Sequence, residues 1–252
     1  DGTLMHLVHA EVLFETLLTS GVRFNARDYE WVGRIADADA VTVATKASGV
    51  GSLADARSRQ VTLGATGVTN IFALAPFMMN RLTGTKFKVI GGYKGTAEIY
   101  TAMERGEIDG AGVTLANVMV LHGEKLKNRE LVPLFAMADK RVPGFPDAPA
   151  VTEFGAGAER TLLEIYASTA TIGRALAFPP GAPAVRVEAM RRALDRTLAD
   201  PDFLAEVRRA NIPVAPMAGA AMKQYVDAIM AAPAQQIDAA RRLHEDMIRT
   251  AR

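Results

Sequence analysis

The chain has 252 residues, of which 49% are apolar and 23% charged, with no cysteine and a net charge of +1. This composition excludes intrinsic disorder, and the lack of cysteine excludes disulfides, thiolate nucleophiles, zinc ribbons and iron–sulfur clusters. The sequence contains no concentrated basic stripe of the kind that binds nucleic acid. It also contains no apolar run that approaches the ~20 residues needed to span a bilayer.

The first half of the chain is predicted to alternate between strands and helices. Apolar stretches at Leu4–Val8 and Val12–Leu18 precede a predicted strand at Val41–Thr45. The later predicted strands are Val61–Gly64, Phe87–Ile90, Ile108–Val113 and Leu131–Ala138, and the helices between them are Ile71–Leu82 and Thr96–Arg105. This alternation is typical of βαβ units in a parallel sheet, so the predicted fold class is α/β.

The second half is predicted to be mostly helical. Proline-rich segments at 142–149 and 178–183 flank a predicted helix at Ala158–Tyr166. Apolar residues then recur at helical spacing, and Asp200 with Pro201 is typical of an N-cap and first helical position. The apolar residues are Val187, Met190, Leu194 and Leu198, then Phe203, Leu204 and Val207, then Met222, Val226, Ile229 and Met230, and finally Ile237, Leu243 and Ile248.

Two glycine-containing loops, at 64–70 and 91–95, each follow a predicted strand and precede a predicted helix. Free backbone N–H groups and the positive end of the helix dipole favour an anion there. Ligands of open α/β sheets collect at the carboxyl ends of strands, so two facing loops would hold both ends of a dicarboxylate. Ordinary strand–helix turns with capping residues show the same pattern, and that interpretation stays open.

Several side chains in these loops have two interpretations. Thr66 and Thr69 add hydroxyl donors, and Asn70 either caps the helix or points at a ligand. Lys94 either pairs with a ligand carboxylate or lies in solvent, and Tyr93 either donates its hydroxyl or packs the loop.

Asp109 ends the segment Arg105–Asp109. It either opens a turn after a helix or accepts the ammonium group of an amino-acid ligand.

Other chemistry finds little support. The dinucleotide fingerprint lacks its third glycine, no P-loop string exists, and no serine lies in a nucleophile elbow. His6 and His9 are three residues apart, but a metal site needs a further ligand that the sequence does not indicate, so no metal is predicted. His122 and His244 lie among polar residues and are predicted at the surface.

In order along the chain, these motifs resemble the periplasmic substrate-binding proteins of tripartite tricarboxylate transporters, the TctC-like or Bug receptors. The resemblance covers essentially the whole sequence. The segments that carry it are 1–4, similar to D-G-(Y)-T-L; 28–32, in the place of D-F-x-P-I; 64–70, similar to a Gly/Ser/Thr loop; 92–97, similar to P-Y-K-G-x-A; 105–109, similar to G-G-x-x-D; 145–155, similar to L-P-D-V-P-T-x-x-E-x-G; and 179–183 with 198–203, similar to the C-terminal signature.

The resemblance implies a two-lobed, type II periplasmic binding fold with an incomplete N-terminal part, because the family's first strand, helix and ligand loop precede its D-G-T-L segment. Lobe 1 would comprise residues 1–48 and 173–252, and lobe 2 residues 49–172. The implied protein is a periplasmic, monomeric receptor, without catalysis or cofactor. It would bind a dicarboxylate, tricarboxylate or aromatic acid and deliver it to integral-membrane permease subunits.

The resemblance also implies which residues hold the ligand. They are Thr66, Gly67, Val68 and Thr69 in the first loop, Tyr93, Lys94, Gly95 and Thr96 in the second, and Asp109; the position of Asn70 adds it as a candidate. Gly91-Gly92 replaces the family's Val-Pro, which should loosen the second loop. Two alternatives stay open: a small α/β enzyme acting on a carboxylate or acyl substrate with Asp109 or a histidine as base, and a non-binding scaffold.

Overall fold

A computed structural model describes residues 2–68, 70–210 and 212–251. The helices are α1 (Val12–Leu18), α2 (Leu53–Ser58), α3 (Ile71–Thr83), α4 (Thr96–Glu104), α5 (Leu115–Lys127), α6 (Gly157–Ile172), α7 (Ala184–Ala199), α8 (Pro201–Arg209), α9 (Gly219–Met230) and α10 (Ala234–Ala251). The strands are β1 (His6–Leu7), β2 (Glu30–Arg34), β3 (Ala40–Thr45), β4 (Gln60–Gly64), β5 (Lys86–Ile90), β6 (Gly110–Thr114), β7 (Leu131–Met137), β8 (Ala175–Phe178) and β9 (Met217–Ala218). Within the described part of the chain, no helix is both long enough and apolar enough to cross a membrane.

The chain divides into two compact units. Unit 1 contains the residues up to Ala38 and Ser168–Ile237, and unit 2 contains Asp39–Ala167 and the residues from Asp238. The sequence analysis predicted two lobes, residues 1–48 with 173–252 and residues 49–172. That these two lobes close on a ligand stays a prediction.

Unit 1 is built on an antiparallel sheet in the order β1-β8-β2-β9. Strand β2 is buried along most of its length because α7 and α9 both pack on it. Gly219 opens α9 so close to β2 that a Cβ would lie 2.4 Å from the Trp31 carbonyl oxygen. That oxygen also accepts hydrogen bonds from the Arg191 guanidinium at 2.9 and 2.8 Å. Only glycine therefore allows this contact between helix and sheet.

Unit 2 is built on a sheet in the order β5-β4-β6-β3-β7. Strand β4 pairs in parallel with both β5 and β6, as the βαβ pattern predicts. Strand β3 is antiparallel to β6 and to β7, so the prediction of a parallel sheet is wrong for that strand. Because β3 precedes the βαβ units in the chain, no crossover helix constrains its direction. The predicted α/β fold class is confirmed.

The predicted surface position is wrong for His244 and only partly right for His122. His244 on α10 is only 4% exposed, and its Nδ1 lies 2.9 Å from the hydroxyl of Tyr166 on α6. His122 on α5 is half-buried, with its ring centroid 4.0 Å from that of Tyr100. Polar sequence neighbours do not reveal which helix face a histidine occupies, and the His244 side chain points inward.

The burial of His244 predicts an acid-sensitive contribution to folding. Burial lowers the pKa of His244 below its ordinary 6.5, although the nearby Glu245 carboxylate raises it. The folded state therefore binds this proton less readily than the unfolded state, so stability is lost as pH falls from about 6.5 towards the folded pKa. We expect the His244→Gln protein to lose less unfolding free energy than the natural protein between about pH 7.5 and pH 5.5 in urea titrations.

The matched control is His9→Gln, because the side chain of His9 is 67% exposed. Equal pH dependence in the natural, His244→Gln and His9→Gln proteins would contradict the role given to His244.

Candidate functional site

The two glycine-containing loops lie side by side in unit 2. Strands β4 and β5 pair with Gly64 opposite Ile90, so both strands end at the same level. We call residues 65–70 loop 1 and residues 91–95 loop 2. A Cβ at Gly91 would lie 2.8 Å from Cγ1 of Val68, so the loops touch where glycine leaves room. The expectation that the two loops meet is thus met by the geometry of the sheet.

Both loops carry backbone amides without an acceptor among the described residues. These amides belong to Thr66, Gly67 and Val68 in loop 1, and to Gly92, Tyr93 and Gly95 in loop 2. All six residues are at least partly exposed, so solvent or a ligand satisfies their N–H groups. Clustered amide donors of this kind form an anion-binding surface.

Asn70 orders loop 1 and caps α3. Its Oδ1 accepts a hydrogen bond from the Ala73 amide at 3.1 Å, and its Nδ2 donates to Oγ1 of Thr66 at 3.1 Å. The Thr66 hydroxyl therefore keeps its own hydrogen for another acceptor. The first turn of α3 carries no acidic residue that would compensate the positive end of the helix. Thr69 lies outside the described residues.

In loop 2, nearby protein side chains already contact part of the backbone. The amide of Lys94 donates to the carboxylate of Glu98 at 2.6 Å, so an acidic group already lies at the start of α4. The Tyr93 ring is half-buried, and its Cε2 would lie 3.2 Å from a Cβ at Gly64. The side chain of Lys94 is exposed, and no ion-pair partner lies near it among the described residues. One loop 2 amide therefore already has an acidic partner, whereas none of the described loop 1 amides does, and Lys94 is an exposed cation on loop 2.

Thr96 is half-buried at the first position of α4, directly after Gly95. Both residues lie where loop 2 meets α4, as predicted.

Among the described residues, the Asp109 carboxylate contacts strand β4 and Arg59 rather than the two loops. Asp109 precedes β6, and the pairing of Gly110 with Leu63 places it level with Thr62, two residues before β4 ends. Its Oδ2 accepts from the Thr62 amide at 2.7 Å, and its Oδ1 lies 3.4 Å from Nη2 of Arg59. The carboxylate thus holds the start of β6 against β4, while its role towards a ligand stays a prediction.

The sequence analysis did not predict two features of this region. A third strand–helix connection follows β6, which runs parallel to β4, ends at Thr114 and leads into α5 at Leu115. The amide of Leu115 donates to the Asp39 carbonyl at 2.7 Å. The second feature is the carboxylate of Glu98 at the start of α4. The sequence could have indicated this position, because Glu98 lies in the first turn of the predicted helix that starts at Thr96, and acidic residues are favoured there.

A cluster of titratable groups lies in unit 1. The imidazole of His9 lies 3.9 Å from a carboxylate oxygen of Glu11 and 3.8 Å from one of Glu15. The sequence analysis considered His6 and His9 as a pair on one helix face, but His6 lies in β1. The groups near His9 are instead the carboxylates of Glu11 and Glu15. The His9 side chain is 67% exposed, as expected for a solvated cluster of charges.

Comparisons with known proteins identify the fold. No protein-family model matches the chain, and no curated protein matches its sequence. In structure, the chain is similar to a ligand-free TctC solute-binding protein from Polaromonas, with a TM-score of 0.68, 18% identity, and coverage of 99% of this chain and 79% of that one. It is also similar to MatC from Rhodopseudomonas palustris with bound malate, with a TM-score of 0.61, 17% identity, and coverage of 95% and 80%.

A third similar structure is an R. palustris protein with adipate, with a TM-score of 0.58, 19% identity, and coverage of 94% of this chain and 76% of that one. The fold is therefore that of periplasmic solute-binding proteins. The predicted resemblance to TctC and Bug proteins is confirmed at the level of fold, and these neighbours are binding proteins, not enzymes.

The contacts of Asp109 predict a structural role. We expect Asp109→Ala to lower the unfolding free energy by about 1–3 kcal/mol, because it leaves the Thr62 amide without its acceptor. The exposed ion pair with Arg59 adds little to this. Urea unfolding at neutral pH measures the change.

The matched control is Glu107→Ala, which removes an exposed carboxylate from the same turn. We expect that variant to stay within about 0.5 kcal/mol of the natural protein. If both variants lose equal stability, the special role of the Asp109–Thr62 contact is refuted.

Proposed function

We propose that this protein is an extracytoplasmic solute receptor that binds a small organic carboxylate on loops 1 and 2. The observation that carries the proposal is the set of acceptor-free amides on two adjoining loops, in a chain with a periplasmic-binding-protein fold. A carboxylate accepts several hydrogen bonds from backbone N–H groups, and each bond is strengthened by the anion's charge. The ligand therefore needs no arginine to hold it.

The ligands of the structural neighbours support a dicarboxylate. Two of the similar structures hold malate and adipate. One carboxylate of such a ligand would lie on the loop 1 amides, with the Thr66 hydroxyl as a further donor. The second carboxylate would meet the loop 2 amides or the exposed Lys94 ammonium. Tricarboxylates and aromatic acids are the other ligand classes that the proposal includes.

The energetics of this arrangement are sufficient. A micromolar dissociation constant corresponds to about 8 kcal/mol. Hydrogen bonds to a charged group contribute about 1.5–3 kcal/mol each, so a few amide contacts with burial of the ligand's carbon chain reach that value. Binding would favour one conformation of the receptor, and a membrane partner would recognise that conformation.

The cellular context of the proposal comes from the fold. TctC-like proteins serve tripartite tricarboxylate transporters, so we include integral-membrane permease subunits as partners and the periplasm as the location. The proposed receptor is a monomer, as its resemblance to these receptors implies.

Thermal unfolding with a panel of organic acids tests the function. The panel contains adipate, malate, citrate, aspartate and benzoate, with dimethyl adipate as the uncharged control. At about a hundredfold excess over Kd, binding adds about 2.7 kcal/mol, which raises Tm by several degrees. We expect at least one acid to raise Tm and the diester to leave it unchanged; a panel without any response would contradict the proposal.

A pair of matched threonine variants assigns the binding to loop 1. Thr66→Val removes the hydroxyl donor, and we expect it to raise the Kd of the responding acid about tenfold or more. Thr101→Val makes the same change on the exposed face of α4, where the hydroxyl donates to the Ala97 carbonyl and to no other described residue. Isothermal titration calorimetry should find the Thr101→Val protein unchanged, and equal affinities in both variants would remove Thr66 from the site.

A further inference from the structure

Unit 2 contains a cleft of 270 Å³ that shares no lining residue with loops 1 and 2. Its walls come from the end of β3, from α4 and α5, and from the start of β7. Thr45 and Leu131 pair there across the two strands, and the Thr45 amide bonds the Asp109 carbonyl at the start of β6. The cleft is therefore separate from the proposed carboxylate site.

A buried hydroxyl without a partner belongs to one wall of this cleft. Tyr100 on α4 is only 6% exposed, and none of the described residues offers its hydroxyl a donor or acceptor. Burial raises the pKa of Tyr100 to about 12, so the hydroxyl keeps its proton at neutral pH. Buried polar atoms are almost always hydrogen-bonded, so an orphaned hydroxyl beside a cleft indicates a partner that enters from outside.

The ring that covers Tyr100 lies on an interrupted helix. The centroids of Tyr100 and His122 are 4.0 Å apart, and His122 has non-helical dihedral angles (φ −139°, ψ 28°) within α5. Burial, together with the nearby Lys125 ammonium, lowers the pKa of His122. A ligand that enters the cleft therefore meets the His122 ring beside Tyr100, at a break in the helix rather than within regular helical packing.

Charged side chains of both signs line the cleft, and two of them lack an ion-pair partner among the described residues. Glu104 and Lys125 form an ion pair at 2.6 Å, so each neutralises the other. Lys46 and Glu130 also line the cleft, and neither has an ion-pair partner among the described residues. One cation and one anion are thus left to meet a ligand.

The same cleft offers an apolar surface. Met103 on α4 and Leu131 on β7 line it, and each is 4% exposed. A ligand with both charges and a hydrocarbon side chain would match this wall, because burial of apolar surface adds affinity without competing for the polar groups.

We propose that the cleft is a second small-molecule site, specific for a free amino acid with an aliphatic side chain. The ligand carboxylate accepts hydrogen bonds from the Tyr100 hydroxyl and the Lys46 ammonium. The ligand ammonium pairs with Glu130, and the side chain packs on Met103 and Leu131. This inference does not rest on the carboxylate receptor function of the loops.

Titration calorimetry of the full chain with L-leucine tests the second site, in the presence of saturating amounts of the acid that binds the loops, if one is found. Two probes separate the charges: 4-methylpentanoate lacks the ammonium group, and 3-methylbutylamine lacks the carboxylate. We expect L-leucine to bind and both analogues to bind about tenfold or more weakly. No binding of L-leucine, or equal binding of either analogue, would overturn the proposal.

Matched tyrosine variants assign the binding to the cleft. Tyr100→Phe removes only the orphaned hydroxyl, so we expect a Tm no lower than that of the natural protein, since the removal of an unpaired buried group is neutral or favourable. Its affinity for L-leucine should fall about tenfold, while Tyr29→Phe in unit 1 should bind normally. Undiminished binding by Tyr100→Phe, or displacement of leucine by adipate, would refute a site at the cleft.

Discussion

The parallel pairing of β4 with β5 is the constraint on which the proposed carboxylate site depends. Because Gly64 lies opposite Ile90, loops 1 and 2 leave the sheet at the same level and touch at Gly91 and Val68. The loop amides then have neither a strand nor a helix to pair with, and they stay available to an anion. A side chain at position 91 would force the Val68 side chain to shift at the point where the two loops touch.

Local patterns in the sequence predicted the elements that carry this site. The strands before each loop and the helices after them follow from short apolar runs and helical spacing, and α3 and α4 begin where predicted, at Ile71 and Thr96. Strand direction is a different matter, because nothing in the residues of β3 distinguishes an antiparallel from a parallel neighbour. The helix α5 was also missed, since its apolar pattern is interrupted near His122.

The roles of individual side chains were harder to predict, because they depend on contacts between residues distant in sequence. Asn70 was correctly considered as a cap, since capping is a local interaction. Asp109 bonds Thr62, which lies 47 residues earlier, and His244 bonds Tyr166, which lies 78 residues earlier. No spacing rule reveals such partners. The orphaned hydroxyl of Tyr100 is likewise visible only when α4 and α5 are packed together.

The central claim is that backbone amides of loop 1 bind the ligand, and amide NMR spectroscopy tests it most directly. In a titration of isotope-labelled protein with the acid that raises Tm most, the account predicts the largest shift changes at Gly67 and Val68, followed by Gly92 and Tyr93. The amide of Lys94 should change less, because it already donates to Glu98. Shift changes confined to residues outside loops 1 and 2 would contradict the account.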